Sequence, residues 1–253
     1  MRIVDLSVPT GPGPGEPLPP TIDYEDHSRS APLLAQIFGC EPSDLPDGQG
    51  WASETVTLIT HAGTHVDAPY HYFPTSGGER ARTIDELPLD WFLRPGVRLD
   101  LRATPWGERI EIEQLEAALA AAQHTLAPYD IVLLWTGAEV AWDTAEYFNA
   151  GSGLTRASTT WLLEQGVKVI GTDAWGLDRP FVALRAEFER TGDASILWEA
   201  HRAGIDREYC QIEKLHNLGA LPSPTGFTVS CLPVKVAGAS AGWCRAAAIL
   251  DGS

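Results

Sequence analysis

Helical and extended apolar patterns alternate along the middle of the chain. From Ile112 to Leu126 good helix formers carry apolar residues at Ile112, Leu115, Leu119 and Ala122, a spacing that gathers them on one helical face. Asp130-Ile-Val-Leu-Leu-Trp135 follows, apolar at nearly every position, which predicts a strand buried on both faces. The pair then repeats. Thr155 or Ser158 can cap a helix that runs through Glu164 and ends at Gly166, and Val167 to Asp173 reads as a second buried strand. Helix followed by strand, repeated, is an α/β pattern.

The flanking regions are less regular. Arg2 to Val8 predicts a short opening strand, and residues 9 to 21 hold six prolines and three glycines, which rule out regular structure and suggest a loop wrapping the body or covering a pocket. Pro32 to Phe38 is a short apolar piece followed by a polar loop reaching residue 50. Trp51 to Thr60, with β-branched Thr55, Val56, Thr57, Ile59 and Thr60, predicts a strand. Tyr72 to Thr83 reads as a loop, Ile84 to Trp91 as a helical turn or more, and Gly96 to Leu101 as a strand. Phe181 to Ala203 is helical in parts, interrupted at Gly192-Asp193, and Phe227–Val236 with Trp243–Leu250 predict a closing strand pair. No internal repeat or change of composition divides the chain, so one domain over residues 1–253 is expected.

Composition narrows the partners. Hydrophobic residues at 44% and charged residues at 21% are ordinary for a globular protein. A formal charge of −16, from 34 acidic against 18 basic residues, disfavours nucleic acid and anionic membrane, which need Lys/Arg clusters. The chain contains no apolar run of about eighteen residues, and its first residues lack a signal-peptide pattern, so a cytoplasmic location is expected. The four cysteines are scattered with no Cys-x-x-Cys pair, which predicts reduced thiols; Cys210 is singled out because it lies near a second group of candidate ligands.

Candidate chemistry concentrates in His61-Ala-Gly-Thr-His65-Val-Asp67-Ala-Pro69-Tyr-His71, where three of the seven histidines and a carboxylate fall within eleven residues. Imidazole nitrogen and carboxylate oxygen suit Zn²⁺, and serve for Mn²⁺ or Fe²⁺. Gly63 and Pro69 disfavour a helix here. An extended stretch would put positions 61, 63, 65 and 67 on one face, with His61, His65 and Asp67 projecting together and Gly63 leaving room between them. Pro69 then turns the chain, so that His71 can approach from another direction as a general acid or base. Ligands from one stretch leave an ion one-sided. His27 and His124 are expected at the surface, whereas His201 and Glu213, twelve residues apart, are candidates either to complete one ion or to hold a second shared through Asp67.

The His61–His71 stretch resembles the signature of the cyclase family of metal-dependent hydrolases, which includes bacterial kynurenine formamidase and isatin hydrolase. Asp5-Leu6-Ser7, Leu133-Leu-Trp-Thr-Gly137, Ile170-Gly-Thr-Asp173 and the His201 to Glu213-x-Leu215-x-Asn217-Leu218 block are also similar to that family, in its order. The resemblance implies a compact α/β domain with a mixed β-sheet, of the kynurenine formamidase-like, swivelling β/β/α type, assembled as a homodimer or homotetramer. It implies that His61, His65 and Asp67 bind metal, that His201 and Glu213 complete a second ion, and that His71 is the catalytic histidine. The cofactor expected is one or two divalent ions, Zn or Mn.

The function expected is hydrolysis of an amide, lactam or lactone of a small aromatic or cyclic substrate. An ion supplies Lewis acidity and acidifies water, while His71 takes and returns the proton. No Gly-x-Ser-x-Gly elbow argues for a serine nucleophile. Trp51, Phe73 and Trp175 are the aromatic residues expected to line the pocket, and Arg179 is expected to pair with Asp178 rather than with a substrate carboxylate. Three alternatives stay open: a metal-dependent cyclase or dehydratase, a lactone hydrolase of aromatic degradation, and a metal-binding protein without turnover.

Overall fold

The computed structural model describes residues 1–250 and centres on a nine-stranded sheet. Numbered along the chain, its strands are β1 (Arg2–Asp5), β2 (His65–Asp67), β3 (Leu93–Asp100), β4 (Ile131–Trp135), β5 (Val169–Thr172), β6 (Cys210–Glu213), β7 (Phe227–Ser230), β8 (Ala241–Trp243) and β9 (Ala247–Leu250). The α-helices are α1 (His27–Phe38), α2 (Pro69–Tyr72), α3 (Ile112–Ala121), α4 (Arg156–Glu164), α5 (Phe181–Thr191) and α6 (Glu199–Ala203). Across the sheet the order is β1-β9-β7-β3-β4-β5-β6-β2-β8. β3, β4, β5 and β6 are mutually parallel, and every other neighbouring pair is antiparallel, so the sheet is mixed.

The unbroken apolar run of β4 has a direct cause. Ile131 and Leu133 enter the core on one side of the sheet, Val132 and Leu134 the core on the other. α3 and α4 cover the second side through Leu115, Leu119, Leu162 and Leu163, each such burial stabilising by roughly 1.5–3 kcal/mol. Connecting turns bring Ile84, Leu87, Trp91 and Leu218 against the first. Thr155 caps α4, its Oγ1 accepting from the Ser158 amide at 3.1 Å.

Several local expectations change. Asp26 caps a full helix α1, with Gly39 at φ 70° closing it, where the sequence suggested only a short apolar piece; Pro32 sits inside this helix. The strand expected over Trp51–Thr60 forms only at Ser53–Thr57, in an exposed two-stranded ribbon with Thr21–Glu25 that lies outside the main sheet. Its Thr-rich residues favour extension but offer no apolar face to bury. The closing pair proves to be three strands: β7 and β9 pair with each other, while β8 crosses to the far edge beside β2. The proline-rich loop does pack inward, for Glu16 within it is only 6% exposed. All four cysteines are free, and burial pushes the Cys210 thiol well above its ordinary range, so it serves the core rather than chemistry. No helix among the described residues is long and apolar enough to cross a membrane.

Candidate metal centre

β2 lies between β6 and β8, and its register builds the site. His65 faces Glu213 and Asp67 faces Gln211 on one side, with Trp243 and Ala241 opposite them on the other. His65 and Asp67 are two residues apart and therefore project from the same face, where the β6 register sets Glu213 alongside. His65 Nε2 is 3.2 Å from Asp67 Oδ1 and 3.5 Å from Glu213 Oε2.

His61 arrives differently from the expectation of one continuous strand. Gly63 takes a left-handed φ of 62°, so β2 begins only at His65 and His61 stands on the preceding turn. A side chain at position 63 would also meet Thr10 Oγ1 at 2.6 Å, which restricts the position to glycine. The turn still brings His61 Nδ1 to 2.7 Å from Asp67 Oδ1, while its Nε2 lies 3.0 Å from Ser240 Oγ. Pro69 opens the short α2, and His71 on that helix places Nε2 4.0 Å from Asp67 Oδ2.

Among the described residues, two trios bring ligand atoms close enough to hold an ion: His61, Asp67 and His71, and His65, Asp67 and Glu213. Asp67 belongs to both. His201, on α6, borders the second trio with Nε2 3.9 Å from Glu213 Oε1. Its Nδ1 is held by Asp178, which also accepts from the Ala200 amide at 2.8 Å. His65 Nδ1 likewise faces the Gly63 carbonyl at 2.9 Å, which turns Nε2 toward the carboxylates.

The residues fit a metal ion. His65 Nε2 and both Asp67 oxygens are buried without a hydrogen-bond partner, a state costing on the order of 1–3 kcal/mol per atom unless something else satisfies it. Their convergence offers a nitrogen and oxygen donor set of the kind borderline divalent ions accept. The electrostatics agree. Burial alone would lower the His65 pKa, but the charges of Asp67 and Glu213 overturn it and raise the value to about 10. Burial would raise Asp67, yet the surrounding imidazoles hold it well below the usual carboxylate range. His71 is the exception: burial brings it down to about 4, against the pull of Asp67 and with help from His201 and His61. It is neutral at pH 7.

A cavity of about 240 Å³ opens from this cluster, with His61, His71, His201 and Glu213 on one wall and Phe148, Trp175, Phe181 and Trp198 among its aromatic walls. Trp175 thus stands where the sequence suggested. Trp51 and Phe73 do not: they lie outside the lining, 37% and 46% exposed, because the ribbon and the turn after α2 carry them outward. Arg179 pairs with Glu187 at 2.6 Å instead of Asp178, whose carboxylate is committed to His201 and the start of α6. Phe148, Phe181, Trp198 and Asp178 went unrecognised as parts of the site. Only Trp198, three residues before His201, carried a sequence signal, since its ring stacks on that histidine at 4.4 Å.

Comparison with known proteins agrees with this architecture. The cyclase family model matches residues 4–179. A kynurenine formamidase of Salinibacter ruber is 32% identical over 193 residues, covering 76% of this chain and 77% of the relative. Isatin hydrolase A from Ralstonia solanacearum superposes with a TM-score of 0.76 at 22% identity, covering 99% of this chain and 92% of that one. An isatin hydrolase bound to the product analogue thioisatinate gives a TM-score of 0.75 at 19% identity, over 99% of this chain and 92% of that one. With the family model spanning most of the sequence and the same fold found over nearly its full length, the chain belongs to the cyclase family.

Proposed function

We propose that this protein is a metal-dependent hydrolase that opens the C–N bond of an amide or lactam, or the corresponding bond of a lactone, in a small aromatic or cyclic substrate. The observation that carries this reading is the set of unpartnered buried atoms on His65 and Asp67, facing Glu213 at the end of an aromatic-walled cavity. His65, Asp67 and Glu213 would hold one ion, and His61 and His201 would extend the donor set if a second were bound. Zn and Mn are the metals proposed. A divalent ion there supplies Lewis acidity toward a carbonyl and toward water.

The chain's own residues do the rest. His71, neutral at pH 7 and beside Asp67, accepts the proton of the attacking water and returns it to the leaving nitrogen or oxygen. Asp178 holds His201 in one orientation. Trp175, Phe148, Phe181 and Trp198 stack on a planar substrate and exclude water. The names of the relatives, a formamidase and a hydrolase of the cyclic amide isatin, support amide or lactam substrates. Exposed apolar residues Leu33, Ile37 and Phe38 on α1 support assembly as a homodimer or homotetramer.

The test is metal removal with a substrate panel. Chelator-treated protein should lose turnover of N-formylkynurenine, isatin or a dienelactone and recover it with Zn²⁺ or Mn²⁺; turnover indifferent to metal overturns the reading. His71→Ala should keep its metal while losing on the order of 10²–10⁴-fold in rate. Loss of metal from that variant would instead make His71 a ligand.

A further inference from the structure

His65, Asp67 and Glu213 are held by the ladder of the sheet, but His61 precedes β2 and has no such support. A buried ion pair stands in its place. Lys214, the residue after Glu213, is 1% exposed and turns back at φ 59°, an uncommon conformation for a residue other than glycine. Its Nζ donates to Glu16 Oε1 at 2.8 Å, to Glu16 Oε2 at 2.7 Å and to the His61 carbonyl at 2.9 Å. Glu16 accepts in turn from the Gly63 amide at 2.9 Å. The Thr64 hydroxyl donates to the Lys214 carbonyl at 2.7 Å and accepts from the Val8 amide at 2.9 Å.

The contacts to His61, Gly63 and Thr64 converge on one turn, and they come from Val8, Glu16 and Lys214, distant parts of the chain. A charged pair with this degree of burial is costly unless its geometry is well satisfied, and beyond the bonds joining Glu16 to Lys214, the side chains of the pair bond to the turn that presents His61, at the His61 carbonyl and the Gly63 amide. From this geometry we infer that Glu16 and Lys214 are positioning residues: together they hold the His61–Thr64 turn so that the His61 side of the metal centre is formed before the ion arrives. The inference rests on the metal-site reading above. It gives the proline-rich loop a purpose, since that loop delivers Glu16 to the underside of the turn.

The test is calorimetric titration of Zn²⁺ or Mn²⁺ into metal-free wild type, Glu16→Gln, Lys214→Met, the double variant Glu16→Gln/Lys214→Met, and His61→Ala as the reference for a lost ligand. Each Glu16 or Lys214 variant should bind about 10- to 100-fold more weakly than wild type, a loss typical of removing a group that orients a ligand, and should approach His61→Ala. The double variant separates positioning from charge balance. It leaves no unpaired buried charge, so its melting temperature should recover relative to the single variants while its metal affinity stays low.

Co²⁺ loading gives a readout independent of activity and stability, and the visible absorption of the folded double variant should shift toward that of His61→Ala. Wild-type affinity in Glu16→Gln, or affinity restored together with stability in the double variant, overturns the inference. Should a single variant fail to fold, the double variant decides the matter by the same criteria. A wild-type protein that binds neither ion overturns the metal-site reading itself, and the inference with it.

Discussion

Asp67 and Asp173 are both completely buried aspartates in or just beyond strands of the same sheet, yet their surroundings are opposite. Asp173 is satisfied by hydrogen bonds. Its oxygens accept from the Thr136 amide at 2.8 Å, the Thr136 hydroxyl at 2.7 Å, the Gly137 amide at 2.8 Å and the Glu139 amide at 3.4 Å. Even so, burial outweighs those donors and raises its pKa to about 6. Asp67 has no backbone or hydroxyl donor on either oxygen; its neighbours are imidazoles, His61 Nδ1 at 2.7 Å among them, and they hold it well below the usual carboxylate range. In this protein hydrogen-bond donors fix one carboxylate in place while burial still raises its pKa, whereas neighbouring imidazoles hold the other well below the usual range. The first arrangement ties the end of β5 to the turn after β4; the second has the donor set and the unsatisfied oxygens that suit a cation.

The largest effect that tests this contrast is expected from Asp67→Asn. It should abolish metal binding and cut the hydrolytic rate by about 10³-fold or more, as loss of several kcal/mol of Lewis-acid stabilisation implies. In the metal-free state it should cost less stability than Asp173→Ala. Metal analysis and denaturation of the stripped protein check both parts, and a larger stability loss for Asp67→Asn would break the comparison.

Asp173→Ala comes next. It leaves buried amides without an acceptor and should lower unfolding free energy by roughly 3 kcal/mol, with metal content unchanged in the folded fraction. The pH dependence follows from the raised pKa. Between the ordinary 3.8 and about 6, the folded chain keeps a proton that the unfolded chain releases. The group's stabilisation is therefore fully present below the lower value and is lost as pH rises through the upper one. Urea midpoints from pH 4 to 7 should show the gap between wild type and Asp173→Ala narrowing with rising pH; a widening gap would reverse the assignment. Thr136→Val should have the smallest effect, removing one donor to Asp173 at a cost of about 1 kcal/mol while metal affinity stays at the wild-type level.

Much of the frame was legible in the residue pattern. The buried runs at β4 and β5 and the intervening helix α4 declare themselves through periodicity and caps that span only a few residues. α1 was obscured because Pro32 and an exposed apolar face at Leu33 and Ile37 hide the cap signal of Asp26. The ribbon at Ser53–Thr57 misled because β propensity reports a preference for extension, not which strand will be the partner.

For the candidate site the division is similar. Sequence alone determined that His61, His65, Asp67 and His71 are chemically suited to a divalent ion and stay close together, because local spacing and donor chemistry belong to the chain itself. Only the tertiary structure decided that Glu213 faces His65, that Asp178 orients His201 and leaves Arg179 to Glu187, that Trp51 and Phe73 stand outside the cavity, and that Glu16 reaches Lys214 beneath the His61 turn. Those pairings depend on strand order and register, which bring together residues separated by up to 198 positions in the chain, and local pattern carries no record of them.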